Sequence, residues 1–289
     1  MIDSIPLSRS RLVDFLACQR RFQLRYLERL PWPSLPMGVE VETAVSRGHA
    51  FHQLIQQYFL DLEIVPAAIE DVKLRQWWTL FLQFQATLPN GRFLPELTLT
   101  VPVGEGGLLN GRFDLLLIRK DAAGEPFIHI YDWKTGKPQD KMTLKRDWQT
   151  RLYLAMLAEG NHVIESDKLG KLRVASNDIE ITYWYVQEAD APRTIRYSSQ
   201  WHDQNWADIQ QIVGQIEALA QSAADDIWPL TDDWSHCRRC GYQTFCGRAE
   251  EGGRSRAKRA GGETAVFDEN QQNEDDALLS PFQLEPNLP

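Results

Sequence analysis

The chain has 289 residues, 43% of them hydrophobic, and a formal net charge of -9, a length and balance that suit one large core or two small ones in a globular protein. No window approaches ~18 uninterrupted apolar residues, and Met1-Ile2-Asp3-Ser4-Ile5-Pro6 lacks a basic region followed by an apolar one, so neither a membrane span nor a secretory leader is expected and a cytoplasmic setting is. The negative charge argues against a uniformly basic nucleic-acid binder, but seven of the acids lie between residues 263 and 289 with no Lys or Arg among them, which leaves the rest of the chain close to balance.

The apolar spacing from Ser8 to Leu27 predicts a first helix with Ser as N-cap and basic residues between its apolar positions, ended by Pro31, Pro33 and Pro36. Residues 41–62 give a second helix carrying His49 and His52, and residues 67–88 a third with Trp77 and Trp78, read as core. A lone histidine on an amphipathic helix is ordinarily a structural residue. Residues 93–103 read as a strand, and Glu96 within it as either a neighbour of a metal or, in preference, an exposed strand-end acid.

Two apolar, β-branched and aromatic runs follow, Phe113 to Ile118 and Phe127 to Trp133, joined by Asp121-Ala122-Ala123-Gly124. That is a hairpin with turn residues in its loop. Centred near Ala122 and Ala123, it sets Asp114 roughly opposite Tyr131 and beside Asp132, within a residue or two. Side-chain alternation sends Asp132 and Lys134 to one face and Trp133 to the other. Two buried carboxylates need compensation. A divalent cation supplies it, and hard oxygen ligands suit Mg²⁺ or Mn²⁺. The alternative is a salt bridge from Asp114 or Asp132 to Lys134 that only closes a strand end.

Residues 143–157 predict a helix directly after the hairpin, with Gln149 and Tyr153 four apart on one face. Strands are expected at 180–186 and 194–197 and a helix at 201–224, so helices, strands, a helix and strands again predict an α/β fold with a mixed sheet flanked by helices. Cys237, Cys240 and Cys246 fall within ten residues, and Cys18 is the fourth cysteine of the chain. In a reducing compartment such a group binds metal more often than it forms disulfides. Four thiolates fit tetrahedral Zn²⁺ or a [4Fe-4S] cluster, and chemistry alone does not separate them. Arg238, Arg239, Arg248, Arg254, Arg256, Lys258 and Arg259 permit nucleic-acid binding, or form a solvated linker. The composition of residues 249–289 is that of a disordered acidic tail.

The set Gly-x-x-Asp (Asp114), Asp-x-Lys-Thr-Gly (Asp132, Lys134) and Gln-x-x-x-Tyr (Gln149, Tyr153), in this order, resembles the PD-(D/E)XK nuclease superfamily and its RecB-like branch, with Trp133 where Tyr is more usual. The resemblance covers most of residues 8–248. It implies a restriction-endonuclease-like core over residues 1–248, metal on Asp114 and Asp132, a catalytic Lys134, and Gln149 and Tyr153 placing DNA and the active site. It further implies that His52, in the setting Gly48 to His52, is a metal ligand in preference to His49. The cysteine spacing is similar to that of the iron-sulfur members, which include the CRISPR-associated exonucleases. By that resemblance Cys18, Cys237, Cys240 and Cys246 hold a [4Fe-4S] cluster that staples the chain's two ends together, zinc being the alternative.

The expected activity is that of a Mg²⁺- or Mn²⁺-dependent deoxyribonuclease, an exonuclease on single-stranded DNA ends in repair, recombination or CRISPR adaptation. The competing expectation is a nuclease-like accessory subunit that grips DNA or a partner without cutting. No Gly-x-x-x-x-Gly-Lys-Ser/Thr loop occurs, so any helicase or CRISPR integration complex is expected as a separate chain.

Overall fold

The computed structural model describes residues 6–32, 38–166, 170–221, 227–238 and 240–248. The acidic tail, Pro33, Pro36, Arg239 and the basic residues after Arg248 lie outside them.

The predicted hairpin is the centre of the sheet. Asp121 Oδ1 accepts from the amides of Ala123 and Glu125 at 2.9 and 2.8 Å, and Gly124 takes the left-handed conformation at φ 87°, which only glycine adopts freely. Strands β2 (Gly107–Lys120) and β3 (Pro126–Lys134) run antiparallel from this turn. Strand β1 (Arg92–Val103) pairs antiparallel with β2. Strand β6 (Ile179–Tyr185) lies parallel to β3, and β7 (Arg193–Arg196) antiparallel to β6. The sheet order is β1-β2-β3-β6-β7, mixed as expected. A separate small hairpin, β4 (Glu165–Ser166) with β5 (Gly170–Lys171), was not anticipated.

Each face of the sheet carries its own core, because β3 and β6 are apolar on both sides. Helices α3 (Val39–Phe59) and α4 (Val72–Gln85) cover one face, burying Phe51, Trp77, Trp78 and Phe81 against Tyr131, Trp133 and Trp184. Trp77 and Trp78 are thus core, as read. The other face holds α1 (Arg9–Ala17), α6 (Trp148–Gly160) and α7 (Ser199–Gln221) over Phe113, Ile130, Ile181 and Ile195.

Two predicted helices are each broken. The first stops at Cys18, whose backbone is extended (φ -166°, ψ 113°), before α2 (Gln19–Phe22) and a wider turn at Gln23–Leu27. Beneath the break Asp14, 2% exposed, accepts from Arg21 at 2.7 Å, Arg25 at 3.0 Å and the Tyr26 hydroxyl at 2.8 Å. A buried carboxylate needs these partners. Ser8 stands at the N-cap without a side-chain cap bond. The second break is at Asp147, which separates α5 (Lys141–Arg146) from α6 and caps α6 through Gln149 N at 2.7 Å. An aspartate competes with the helix for its backbone donors and so favours a new N-terminus.

The chain's two described ends pack together. Phe22 stacks on Trp228 with ring centroids 5.9 Å apart, Trp228 N donates to Gln23 Oε1 at 2.9 Å, and the Tyr242 hydroxyl donates to Leu30 O at 2.7 Å.

Candidate active site

Asp132 and Lys134 leave the end of β3 on one face, while Trp133 packs on the other among Phe81, Phe84 and Trp184. Asp132 is 1% exposed. Its Oδ1 is shut off from solvent without a well-directed hydrogen bond and faces Lys134 Nζ at 2.7 Å as an ion pair. Gln149, on the first turn of α6, bridges the pair: Nε2 donates to Asp132 Oδ2 at 2.7 Å, and Oε1 accepts from Lys134 Nζ at 3.0 Å. Arg9 of α1 meets Asp147 at 3.3 Å and so braces the turn that presents Gln149.

Asp114 sits across the hairpin. The ladder pairs Leu115 with Tyr131, one residue from the expected register, so Asp114 is level with Asp132. Its Oδ2 accepts from Trp133 N at 2.8 Å, and Oδ1 lies 3.6 Å from His52 Nδ1 on α3. Glu96 completes the group: one ligand atom each from His52, Glu96 and Asp114 fall within 4.8 Å of one another.

This corrects the reading of Glu96 as an exposed strand-end acid, since its side chain is 13% exposed and stands mid-strand. The backbone explains it. Glu96 has φ 52°, and the β1–β2 ladder runs from Pro95↔Leu115 to Leu97↔Phe113 without pairing the residues between. Side-chain alternation slips by one at that level in both strands: Leu94 and Leu97 share a face, as do Phe113 and Leu116. The sequence points to His52, Asp114 and Asp132 as the metal set. His52 and Asp114 gather with Glu96, and Asp132 stands beside them on Lys134 and Gln149. His49 is exposed.

Tyr153 donates to Arg112 O at 2.5 Å and packs its ring 4.7 Å from Phe113, holding the segment that leads into Asp114. Arg112 in turn reaches Glu96 Oε2 at 3.0 Å.

Burial sets the electrostatics. It pushes the Asp132 carboxyl up to about 7, with the charge of Asp114 adding and Lys134 opposing. Burial also opposes ionisation of Asp114, but His52, Lys134 and the Trp133 amide outweigh it and hold this carboxyl below its usual value. Burial pulls Lys134 down, yet Asp132 and Asp114 more than offset this and keep it an ammonium. One acid is thus poised to protonate and its neighbour is fixed as an anion, a division found where titratable groups carry out chemistry.

The donor set fits a hard divalent ion. Two carboxylates and an imidazole converge, and a third carboxylate offers a buried oxygen; such ligands suit Mg²⁺ or Mn²⁺.

At the opposite end of α1, Cys18, Cys237, Cys240 and Cys246 line one cavity with Arg21, His236 and Arg248. All four thiols are free. Among the described residues no three of these sulfurs close to within 4.8 Å of one another. Burial raises the Cys240 and Cys246 thiols, and the other cysteines add to the shift. Arg248 donates to Cys237 Sγ at 3.3 Å.

A family model described as the PD-(D/E)XK nuclease superfamily matches residues 6–247. The chain belongs to the PD-(D/E)XK nuclease superfamily. Two solved structures are similar to this nuclease-family chain. One is a Eubacterium rectale protein provisionally assigned as an exonuclease, 13% identical, TM-score 0.47, covering 90% of this chain and 91% of that one. The other is SSO0001, 15% identical, TM-score 0.36, covering 85% and 88%. No curated protein matches the chain. Among the described residues, no helix is long and apolar enough to cross a membrane.

Proposed function

We propose that this superfamily member is a metal-dependent deoxyribonuclease that hydrolyses phosphodiester bonds as an exonuclease on single-stranded DNA ends. The observation that carries the reading is the convergence of Asp114, Asp132 and Lys134 at one end of the hairpin, with Gln149 bridging the last two. Glu96, Asp114 and His52, with Asp132 Oδ1 beside them, would hold Mg²⁺ or Mn²⁺. When bound, such an ion polarises a phosphoryl oxygen and lowers the pKa of an attacking water.

The chain's own groups do the rest. Lys134, kept as an ammonium by its two carboxylates, orients the attacking water by donating to it and offsets charge that builds on the phosphoryl oxygens. Its protonation favours this role over that of a general base. Gln149 fixes Asp132 and Lys134 in one geometry, and Tyr153 positions β2 through Arg112 O. The test is degradation of labelled single-stranded DNA, duplex DNA and RNA with Mg²⁺, Mn²⁺ or EDTA. Nucleotide release from single-stranded DNA ends that EDTA abolishes supports the reading, and no release under any of these conditions refutes it.

For the second site we read a structural [4Fe-4S] cluster on Cys18, Cys237, Cys240 and Cys246. Arg21 and Arg248, both in the cavity wall, suit the net negative charge of a four-thiolate cluster. Iron and acid-labile sulfide in protein purified without oxygen test it; zinc alone refutes it.

A further inference from the structure

Beside Lys134 the surface opens into a groove. It is lined by Lys134, Gly136, Lys137, Gln139, Asp147, Gln149, Tyr183 and Tyr185 among others, and measures about 330 Å³ including the part open to solvent.

Its charges are unevenly matched. Asp147 is occupied by Arg9 and by the Gln149 amide in the first turn of α6. Lys134 is held by Asp132 and Gln149. Lys137 is exposed, and its ammonium has no ion-pair or hydrogen-bond partner among the described residues. The loop that carries it is nevertheless fixed at both ends. Thr135 O accepts from Gln187 Nε2 at 3.0 Å, the Gln139 amide bonds to the Tyr185 hydroxyl, and Asp140 caps α5 through Met142 N and Thr143 N. An anchored loop thus presents an unpaired cation, three residues beyond Lys134, into a groove that adjoins the buried carboxylates.

We propose that this groove seats the nucleotide next to the cleaved bond, with Lys137 holding the phosphate that neighbours the one being cut. The proposal rests on the nuclease reading and names the substrate contact that the metal group leaves undefined. Lys137 contributes binding and register along the strand, while Lys134 faces the reacting phosphate. A sequence-independent point charge suits this task, because a phosphate contact positions a strand without reading its bases.

The experiment measures binding of a short fluorescent single-stranded DNA by anisotropy, with Ca²⁺ in place of Mg²⁺, and cleavage separately with Mg²⁺. Lys137→Ala is compared with the parent and with Lys120→Ala, a distant surface control, after equal melting temperatures are verified. The expected result is about three- to tenfold weaker binding, a salt dependence reduced by about 0.7 in slope, a raised KM and a retained kcat. A strand with an uncharged methylphosphonate next to the cut position should lose affinity for the parent and lose nothing further with Lys137→Ala. Parental affinity in Lys137→Ala, or losses that add with the methylphosphonate, overturns the assignment of the groove. A parent protein that neither binds nor cuts any nucleic acid overturns the nuclease reading itself, which separates the two failures.

Discussion

Glu96 and Asp114 face each other across β1 and β2, yet the ladder skips them. Glu96 turns to φ 52° instead, bringing its carboxylate into one group with Asp114 and His52. A non-glycine residue in this region costs on the order of 1–3 kcal/mol and persists where the surroundings enforce it. The strain and the ligand group coincide at one residue.

Substitution at Glu96 should therefore separate stability from activity. Glu96→Gly relieves the backbone and is expected to raise the urea-unfolding free energy of the metal-free protein by about 1 kcal/mol while weakening Mn²⁺ affinity at least tenfold by isothermal titration. Lower stability together with parental metal affinity would contradict this account of the strand.

The Asp132 carboxyl gives a pH signature. Its folded value, about 7, lies above the unfolded carboxylate value of ~3.9, so the folded state binds the proton more tightly. The contribution is full below about pH 4 and is lost as pH rises toward 7. Metal-free protein should accordingly lose stability between about pH 4 and pH 7 through this group, and Asp132→Asn should flatten that part of the melting-temperature profile. Added Mg²⁺ should stabilise the parent more at pH 8 than at pH 6, because metal and proton compete for the carboxylate.

Asp147 holds the α6 N-terminus and, through it, Gln149. Asp147→Ala should cost about 1 kcal/mol as a lost N-cap, measured by denaturant unfolding, and should reduce cleavage more than this stability loss explains. Asp147→Asn, which keeps the cap, should recover the stability and part of the rate.

The proposed [4Fe-4S] cluster in the thiol cavity predicts a coupled loss. Cys240→Ser should release iron and destabilise the protein on the order of several kcal/mol, since cluster binding and folding share the same free energy. Faster hydrogen exchange should appear together in residues 9–27 and 227–248. Retained iron and unchanged exchange would contradict the staple.

The hairpin was legible because Asp121 and Gly124 mark its turn and the flanking runs are apolar; its register was read one residue off. The same uniform apolarity hid the slip in alternation near Asp114, because Leu115 to Ile118 are buried on whichever face they take. Glu96 offered no local signal, since its left-handed backbone arises only with β2 and α3 assembled around it. The breaks at Cys18 and Asp147 were invisible to periodicity, which continues across both. The first depends on the buried Asp14 network, a tertiary fact, and the second on Asp147 accepting from Gln149 N, a local cap that the apolar spacing does not register.

The claim on which the rest depends is that Lys134 acts on a phosphate beside Asp114 and Asp132. Mg²⁺- or Mn²⁺-dependent release of nucleotides from labelled single-stranded DNA, measured for the parent and for Lys134→Ala at saturating metal and with folding verified, tests it directly. A loss of about a hundredfold or more is the predicted result, and undiminished cleavage by Lys134→Ala would contradict it.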